Sequence, residues 1–492
     1  MKRHIFPIIF TIIFVFTISA QPKREIRGVW ITINYALDWP ENPIRSWSDM
    51  ERQKADLDRM LDKFEKTGIN VIFFQTRLRG NVIYPSKIEP VCEYFDSRYP
   101  EYDPLAYAIE ACHRRGMECH AWMVVYPVEN SKTRRKRSSA ASVPDRYKGM
   151  AKSYGGSLYL DPGNPRTTSY LMDLVRELVS GYDIDGIHFD YIRYPDDSNK
   201  FPDEDTYKRY GHGQSKADWR RENINHFVYT AYDEVKSLKP WVQVSSSVVG
   251  MYDRLPNGTR RHWTAFGSVY QDPSDWLQKE KHDFIVPMMY YSGELFFPFV
   301  DDWLMRSNGR FVVPGLGLYQ MDANEFGWEP GVLLEQIQYS RDRQTHGNAF
   351  FRARYLMENK KGICDEIASQ FYSTPALLPA LTWLSHAIPE APKQIYAYKK
   401  DDCLLLDWDH VNTSEIPEKA VFYNLYRSET FPVDINNPHN LIAARLKDNF
   451  YRIPIDNRLE LGYYYVVTSY DRYHNESAVS NPVYFVTGMF EK

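Results

Sequence analysis

The segment DGIHFDYIRYP, residues Asp185–Pro195, contains a short and mostly apolar run that a proline closes, as expected of a buried parallel strand. Side chains alternate along a strand, so His188 and Asp190 share one face while Ile187 and Phe189 share the other. In a closed barrel, the two apolar side chains would pack on outer helices and Asp190 would emerge at the carboxyl end of its strand. Barrel enzymes keep their chemistry at that end, so the segment predicts a barrel with Asp190 in its mouth.

Similar apolar segments recur along the chain, and helical segments with an apolar stripe alternate with them. The predicted strands are residues 27–34, 70–75, 118–125, 186–190, 241–247, 284–290, 310–316 and 347–351. Alternation of strand and helix makes a parallel sheet the default, and eight such pairs close a (β/α)8 TIM-type barrel of the α/β class. Prolines interrupt the sixth and seventh segments. The insertion at residues 196–214 is expected to shape a substrate cleft on the face of Asp190.

The composition changes after the barrel. A Pro/Leu/Ala-rich stretch precedes short strands at residues 403–408, 422–427, 463–470 and 479–485, a pattern typical of an immunoglobulin or fibronectin type III-like sandwich. We expect this all-β module to act as a spacer or as a dock for glycan or cell wall. The predicted organisation is a signal peptide at 1–20, a barrel at 24–379, a linker at 380–390 and the sandwich at 391–488.

The first residues predict export. Lys2 and Arg3 precede an apolar run that ends at Ser19 and Ala20, which is the layout of a signal peptide; a retained membrane anchor is the alternative. The expected location is therefore periplasmic, cell-surface or secreted, with no transmembrane segment after cleavage and a monomeric chain. Five scattered cysteines predict buried or free thiols, with at most a pair or two bridged. A net charge of −4 argues against a nucleic-acid binder.

The basic stretch at residues 130–144 has no apolar periodicity and predicts a solvated loop, or alternatively a rim that contacts anions. The chain has no glycine-rich phosphate loop, no GxSxG elbow and no His/Cys cluster, so we expect neither a metal nor a cofactor.

Carboxylates and aromatics at strand ends remain as the candidate chemistry. Glycoside hydrolysis uses two carboxylates, and aromatic faces stack on sugars. Asp190 is the first candidate, although an aspartate there could equally cap a turn. Asp38 after strand one and Glu294 after strand six are candidate catalytic partners, and Asp161 is a further possibility. The residues expected to bind substrate are Gln75, Arg77, Arg79, Trp122, His188, Tyr191, Arg193, Tyr290 and Tyr291.

Several separate motifs resemble the glycosyl hydrolase-like 10 family, from about Arg24 to Pro379. They are RGVWITINYALDWP (27–40), VIFFQTRLRGNVIYPSKIEP (71–90), CHRRGMECHAW (112–122), YDIDGIHFDYIRYP (182–195) and ADWRRENIN (217–225). The resemblance implies a TIM-type barrel, an exported bacterial protein and glycosidase activity. Its best-understood member type is a division-associated enzyme that cuts peptidoglycan glycan strands already stripped of their peptides.

The chain departs from the family pattern at three places. Many members read DGIHFDDYFYP, so Asp190 is kept while Tyr191 replaces the second aspartate. The sequences SSVVG (246–250) and PMMYY (287–291) replace the Ser-Pro-Phe-Gly and Pro-Gln-Leu-Tyr-Trp runs of many members. These departures leave the substrate open.

Three hypotheses follow. The first is an exported glycoside hydrolase that uses Asp190 on peptide-stripped peptidoglycan, whose lactyl carboxylates Arg77, Arg79 and Arg193 would bind. The second is a hydrolase of another extracellular polysaccharide. The third is a non-catalytic glycan-binding barrel, which the replacement of the second aspartate by Tyr191 favours.

Overall fold

The computed structural model describes residues 21–95, 99, 101–129, 145–256, 263–411, 416–455 and 462–486. In these ranges the strands are β1 Ile26–Ile31, β2 Val71–Arg77, β3 Glu118–Val124, β4 Pro127–Glu129, β5 Ala151–Tyr154, β6 Ser157–Leu160, β7 Gly186–Asp190, β8 Gln243–Val249, β9 Phe284–Met288, β10 Phe311–Val312, β11 Gly315–Gly317, β12 Gly347–Phe351, β13 Ile395–Lys400, β14 Cys403–Trp408, β15 Phe422–Ser428, β16 Leu441–Leu446, β17 Phe450–Pro454, β18 Gly462–Tyr470 and β19 Val483–Val486. The α-helices are α1 Trp47–Thr67, α2 Pro104–His113, α3 Pro165–Gly181, α4 Glu204–Tyr210, α5 Lys216–Leu238, α6 Ala265–Ser268, α7 Pro273–Gln278, α8 Phe297–Met305, α9 Pro330–Asp342, α10 Ala353–Met357 and α11 Ile363–Glu366.

The large sheet closes on itself as a barrel of parallel strands. Its order is β1-β2-β3-β7-β8-β9, then β10 and β11 in one position, then β12, which pairs with β1. The predicted TIM-type barrel is thereby confirmed. Pro314 lies between β10 and β11 and cannot donate a ladder hydrogen bond, so the seventh strand is split there.

The helices form because their apolar residues recur at helical spacing and their ends are capped. In α1, the Ser46 side chain accepts the backbone N–H of Asp49, and Gly68 ends the helix with φ of 87°. The buried stripe of α1 includes Leu57, Leu61 and Phe64 and packs toward the barrel wall. Along the barrel strands, side chains alternate between this helical layer and the barrel interior.

Two insertions surround the mouth of the barrel. Strands β4, β6 and β5 form a small antiparallel sheet after β3, which sequence reasoning missed, while residues 130–144 lie outside the described residues. The insertion at residues 196–214 contains α4. A fully buried Asp203 holds it by accepting two hydrogen bonds of 2.8 Å from Arg220. Asp161 accepts the hydroxyl of Thr206 at 2.8 Å, and burial raises its pKa to about 6.

The C-terminal unit is all-β. It has one antiparallel sheet of three strands, β13-β14-β17, and another of four, β16-β15-β18-β19. The sequence predicted strands at the positions of β14, β15, β18 and β19 and missed β13, β16 and β17. The assignment to the fibronectin type III class and the domain boundaries stay predictions, and residues 487–488 lie outside the described residues.

This sandwich covers the amino end of the barrel, opposite the mouth. Arg445 of β16 is 3% exposed, and its guanidinium binds Glu118 at 2.9 Å and Asp185 at 2.9 Å. His474 contacts Glu118 at 2.7 Å from the same side. Leu381, from the stretch predicted to be a linker, is fully buried against the base of the barrel. The two units therefore share a buried, charged interface.

The five cysteines are free thiols, four of them buried. No helix in the described part of the chain is long and apolar enough to span a bilayer. The predicted signal peptide at 1–20 lies outside the described residues.

Candidate active site

Asp190 is the last residue of β7, at the carboxyl end of the barrel. Its side chain is 6% exposed and points toward the barrel axis, on the same face as His188. One carboxylate oxygen accepts the indole N–H of Trp122 at 3.2 Å, and the other accepts the backbone N–H of Tyr191 at 2.7 Å. These two donors fix the carboxyl group in one orientation.

The electrostatics of Asp190 are a balance of burial against nearby donors and cations. Burial raises the pKa of Asp190 above its ordinary value, and this effect outweighs Arg193, the two hydrogen bonds and Arg79, all of which lower it. A carboxyl group with a raised pKa holds a proton more readily, which is the property that a general acid requires.

Two arginines and two aromatic rings form one wall beside Asp190. Tyr191 has φ of 53°, in the left-handed region, and its ring lies 5.6 Å from the guanidinium of Arg79 and 4.7 Å from that of Arg193. Arg193 is also 4.6 Å from the ring of Trp263, so this buried guanidinium is held between two aromatic faces. It donates to Asp196 at 2.6 Å, while its buried Nε has no partner among the described residues.

Aromatic residues after strands six to eight form the opposite wall. The half-buried ring of Tyr290 stacks on Phe351 at 5.6 Å and meets Tyr319 edge-on at 5.5 Å. Burial raises the pKa of Tyr290, and the charges of Tyr319 and Asp190 add to the shift. Tyr290 therefore lies within electrostatic reach of the carboxylate. Tyr291 follows it and is half-buried, and its carbonyl accepts from Gln336 at 2.7 Å.

Arg77, predicted to bind substrate, is instead buried in a structural ion pair. Its side chain is fully buried and donates twice to Glu89, at 2.7 Å each, and to the carbonyl of Val125 at 2.8 Å. Burial would lower the pKa of Arg77, but Glu89 outweighs it and raises the pKa above the ordinary value. The pairing with β3 shifts in register between Gln75 and Arg77, and the side chain packs against Glu89 and the chain after β3.

Gln75 also has a structural role in place of the predicted substrate contact. It is 3% exposed, and its side-chain oxygen accepts the backbone N–H groups of Ile33 and Asn34 at 3.0 and 2.8 Å. These bonds fix the loop that follows β1.

Trp122 and His188 lie inside the barrel, beneath the mouth. The indole of Trp122 positions Asp190, as described above, and is only 4% exposed. His188 is fully buried, accepts the indole N–H of Trp30 at 3.2 Å and contacts the hydroxyls of Ser245 and Ser247 at 2.8 and 2.7 Å. Burial lowers the pKa of His188, so the imidazole is neutral and serves the packing of the interior.

The predicted catalytic partners of Asp190 occupy different environments. The Asp38 side chain is fully buried, is paired with Arg352 at 2.7 Å and accepts the backbone N–H groups of Thr32 and Arg354. Burial raises the pKa of Asp38. These contacts make it a structural link between the ends of the first and last barrel strands, which corrects its prediction as a catalytic acid. Glu294 is exposed on the short 3-10 turn Gly293–Leu295 after β9, at the carboxyl face.

Sequence reasoning missed four residues of this region: Glu325, Trp263, Tyr319 and Phe351. Phe351 ends the eighth strand, and Tyr319 lies just after the seventh, so a search of every strand end would have found both. Glu325 is exposed on the turn after Tyr319, and its charge adds to the burial that raises the pKa of Tyr319 to about 12. Trp263 had no sequence signal, because its loop meets Arg193 only in the folded chain.

The arrangement offers one buried carboxyl group that can hold or release a proton, two guanidinium groups, and aromatic faces on both sides. Among the residues that the structure describes, no group of His, Cys, Asp and Glu side chains could hold a metal ion.

Comparison with known proteins places the chain in a family. The model of the family glycosyl hydrolase-like 10 matches residues 25–302. Glycosyl hydrolase YngK of Bacillus subtilis (strain 168) is 30% identical over 489 residues, which cover 94% of this chain and 94% of YngK. Glycosyl hydrolase DigH of Escherichia coli (strain K12) is 32% identical over 295 residues, 56% of this chain and 67% of DigH. The solved endo-beta-1,4-mannanase from Thermotoga petrophila covers 94% of this chain and 97% of its own at 11% identity, but its TM-score of 0.46 is too low to support any argument. The family match and the full-length relative show that this chain belongs to the glycosyl hydrolase-like 10 family.

Proposed function

We propose that this protein is an exported glycoside hydrolase that cleaves a polysaccharide, with Asp190 as a catalytic carboxylate. The observation that carries the proposal is the position of Asp190: a buried carboxyl group at the carboxyl end of a barrel strand, held by Trp122 and the Tyr191 backbone N–H. The family membership supports the reaction class.

In this mechanism Asp190, whose pKa burial raises, donates a proton to the glycosidic oxygen as the bond to the anomeric carbon breaks. A second carboxylate either attacks the anomeric carbon and forms a glycosyl-enzyme that water then hydrolyses, or takes the proton of a water molecule that attacks this carbon. Glu294 and Glu325 are the candidates, since both are exposed on loops that follow barrel strands six and seven. Replacing each with glutamine in turn identifies the partner as the one whose loss abolishes turnover.

The substrate that we propose is peptidoglycan glycan stripped of its peptides, in which each muramic acid exposes a lactyl carboxylate. Arg79 and Arg193 flank the ring of Tyr191, at the position where many family members carry a second aspartate. Arg193 already pairs with Asp196 at 2.6 Å, so Arg79 is the guanidinium of this wall that remains for an anionic ligand. Arg79 is half-buried and has no ion-pair partner among the described residues, so it can bind an anionic group. Arg77 no longer belongs to this hypothesis.

The experiment compares hydrolysis and binding of three polymers: peptide-stripped peptidoglycan glycan, chitin oligomers and a neutral glucan. We expect new reducing ends from the first, and we expect Arg79→Met to weaken its binding far more than binding of chitin. Arg254→Met, at an exposed arginine of another loop, is the matched control. Equal loss on both polymers would refute the anionic subsite, and release of reducing ends from the glucan alone would redirect the proposal to another polysaccharide.

Two observations favour the non-catalytic alternative, a glycan-binding barrel. Tyr191 has replaced a carboxylate, and Asp38 is locked in a buried ion pair. Binding and turnover of Asp190→Asn separate the two readings. An enzyme loses turnover and keeps binding, whereas a glycan-binding barrel shows no turnover in the wild-type protein either.

A further inference from the structure

Three aromatic rings form a row on the four-stranded sheet of the sandwich, far along the chain from Asp190. Tyr464 of β18 and Tyr484 of β19 are directly paired across the two strands, and their ring centroids lie 4.6 Å apart. Phe431, from the loop after β15, adds a third ring 5.4 Å from Tyr464. We call these three residues the aromatic row. Phe431 is 61% exposed and Tyr484 is 53% exposed, so much of the row faces solvent.

The row is the uncovered end of a face whose other end is covered by the barrel. Because side chains alternate along β18, Tyr464, Val466 and Tyr470 share one face. Val466 and Tyr470 are buried in a cluster with Leu377, which belongs to the base of the barrel. The face continues past that contact to Tyr464 and its two neighbours. A contiguous exposed aromatic surface of this kind marks an interaction site more often than an isolated ring does.

The chemistry around the row fits a carbohydrate. The faces of the rings are electron-rich and accept the C–H groups of a sugar, and a row of rings can cover more than one sugar unit. The neighbouring loop, SETFPVDINNPHN at residues 428–440, supplies hydroxyl and amide groups and the carboxylates of Glu429 and Asp434, and it contains no lysine or arginine. A nucleic acid or an acidic membrane surface would require such cations. The loop and the row together therefore favour contact with uncharged sugar units, which in peptide-stripped peptidoglycan alternate with the anionic ones.

We propose that the aromatic row is a second glycan-binding surface, which docks the protein on the polymer that the barrel cleaves. This inference rests on the proposed function for the nature of the polymer. The sandwich contacts the amino end of the barrel, through Arg445 and Glu118, whereas Asp190 lies at the carboxyl end. The aromatic row therefore anchors the enzyme to insoluble polymer and does not deliver substrate to Asp190.

The test is co-sedimentation with insoluble peptide-stripped peptidoglycan and with chitin, in an Asp190→Asn background so that the polymer is not consumed. The test variant combines Phe431→Ala, Tyr464→Ala and Tyr484→Ala. The control combines Tyr396→Ala and Tyr398→Ala, two aromatics on the other sheet that are 49% and 43% exposed. We expect the triple variant to bind at least one of the polymers about tenfold more weakly, and the control to bind like the parent protein. If the triple variant fails to fold, Phe431→Ala alone replaces it as the test variant, because Phe431 lies in a loop. This single change should also weaken polymer binding.

Equal binding by the triple variant and the control would overturn the inference. So would a dimer that the triple variant converts to a monomer with polymer binding unchanged, because the row would then be a contact between two copies. The proposed function fails separately: if the wild-type protein hydrolyses no glycan yet sediments through the row, the docking surface stands and the hydrolase does not. With Asp190 intact, the triple variant should hydrolyse soluble oligosaccharides at the wild-type rate and insoluble polymer more slowly.

Discussion

Replacing Arg445 with methionine should destabilise the whole chain, because this side chain joins the sandwich to the base of the barrel. Its guanidinium donates to Glu118 at 2.9 Å and to Asp185 at 2.9 Å, and all three side chains are at most 6% exposed. The guanidinium carbon also lies 4.2 Å from the centroid of the Phe422 ring, so methionine keeps part of the aliphatic stem but removes both the charge and this ring contact.

The expected loss follows from the two carboxylates that are left behind. Removing one partner of a buried ion pair costs about 3–5 kcal/mol, because an uncompensated charge remains in a medium of low dielectric constant. Glu118 keeps His474 and Gln243 as partners, and Asp185 keeps His113, so we do not expect two full penalties. The predicted decrease in the free energy of unfolding is therefore about 3–5 kcal/mol.

The effect should depend on pH with a defined sign. Burial alone would raise the pKa of both carboxyl groups, but His474 and Arg445 at Glu118, and His113 and Arg445 at Asp185, hold both pKa values below their ordinary range. A carboxyl group whose pKa is lower in the folded state stabilises that state at pH values above its pKa in the unfolded chain, which is about 4. This contribution is lost as the pH falls through the pKa of the folded state. The difference between wild type and Arg445→Met should be complete at pH 7 and should shrink below about pH 4.

Urea denaturation followed by tryptophan fluorescence and far-UV circular dichroism measures this prediction. Arg452→Met, at an exposed arginine of β17, is the matched control and should change the free energy of unfolding by no more than about 0.5 kcal/mol. If Arg445→Met loses no more stability than this control, the interface is not held by buried charge and the reasoning is refuted.

Two further changes test the reassigned residues. Trp122→Phe removes a hydrogen bond to ionised Asp190, so the limb of the pH–rate profile that reports Asp190 should move to higher pH by roughly one unit. The control is Trp47→Phe, at a tryptophan that is 62% exposed. An unchanged profile in Trp122→Phe would show that the indole does not set the pKa of Asp190. Asp38→Asn disrupts the buried ion pair with Arg352 and should lower the free energy of unfolding by about 1–3 kcal/mol. Turnover per folded molecule should stay at the wild-type level. A large loss of turnover with unchanged stability would instead indicate that Asp38 is a catalytic acid.

The sequence predicted the barrel because its signals are local. Apolar runs bounded by turns marked the position of every barrel strand, and segments with an apolar stripe marked the helices between them. Pro314 lies inside the seventh predicted strand, and the structure breaks that strand at this residue. The strands β13, β16 and β17 were missed. Each contains charged residues that weaken the strand pattern: two lysines end β13, Arg445 lies buried in β16, and Arg452 lies in β17.

The site was predicted in part, because strand alternation gives the direction of a side chain but not its partners. Alternation placed Asp190 in the mouth. The same rule failed for Arg77, since a bulge changes the register beyond Gln75 and a distant Glu89 captures the guanidinium. Asp38 failed for a similar reason, because its partner Arg352 lies on the last barrel strand's loop, more than three hundred residues away in the chain. Long-range ion pairs of this kind leave no trace in the local pattern.

The most direct test of the account is the turnover of Asp190→Ala on glycan strands, with and without added formate. Loss of a carboxylate that acts on the glycosidic bond should reduce kcat by about 10²- to 10⁴-fold, and formate, as a small carboxylic acid, should recover part of the rate. Asp197→Ala, an exposed carboxylate of the neighbouring insertion, is the control and should keep its rate. A folded Asp190→Ala protein that cleaves the polymer at the wild-type rate would contradict the central claim.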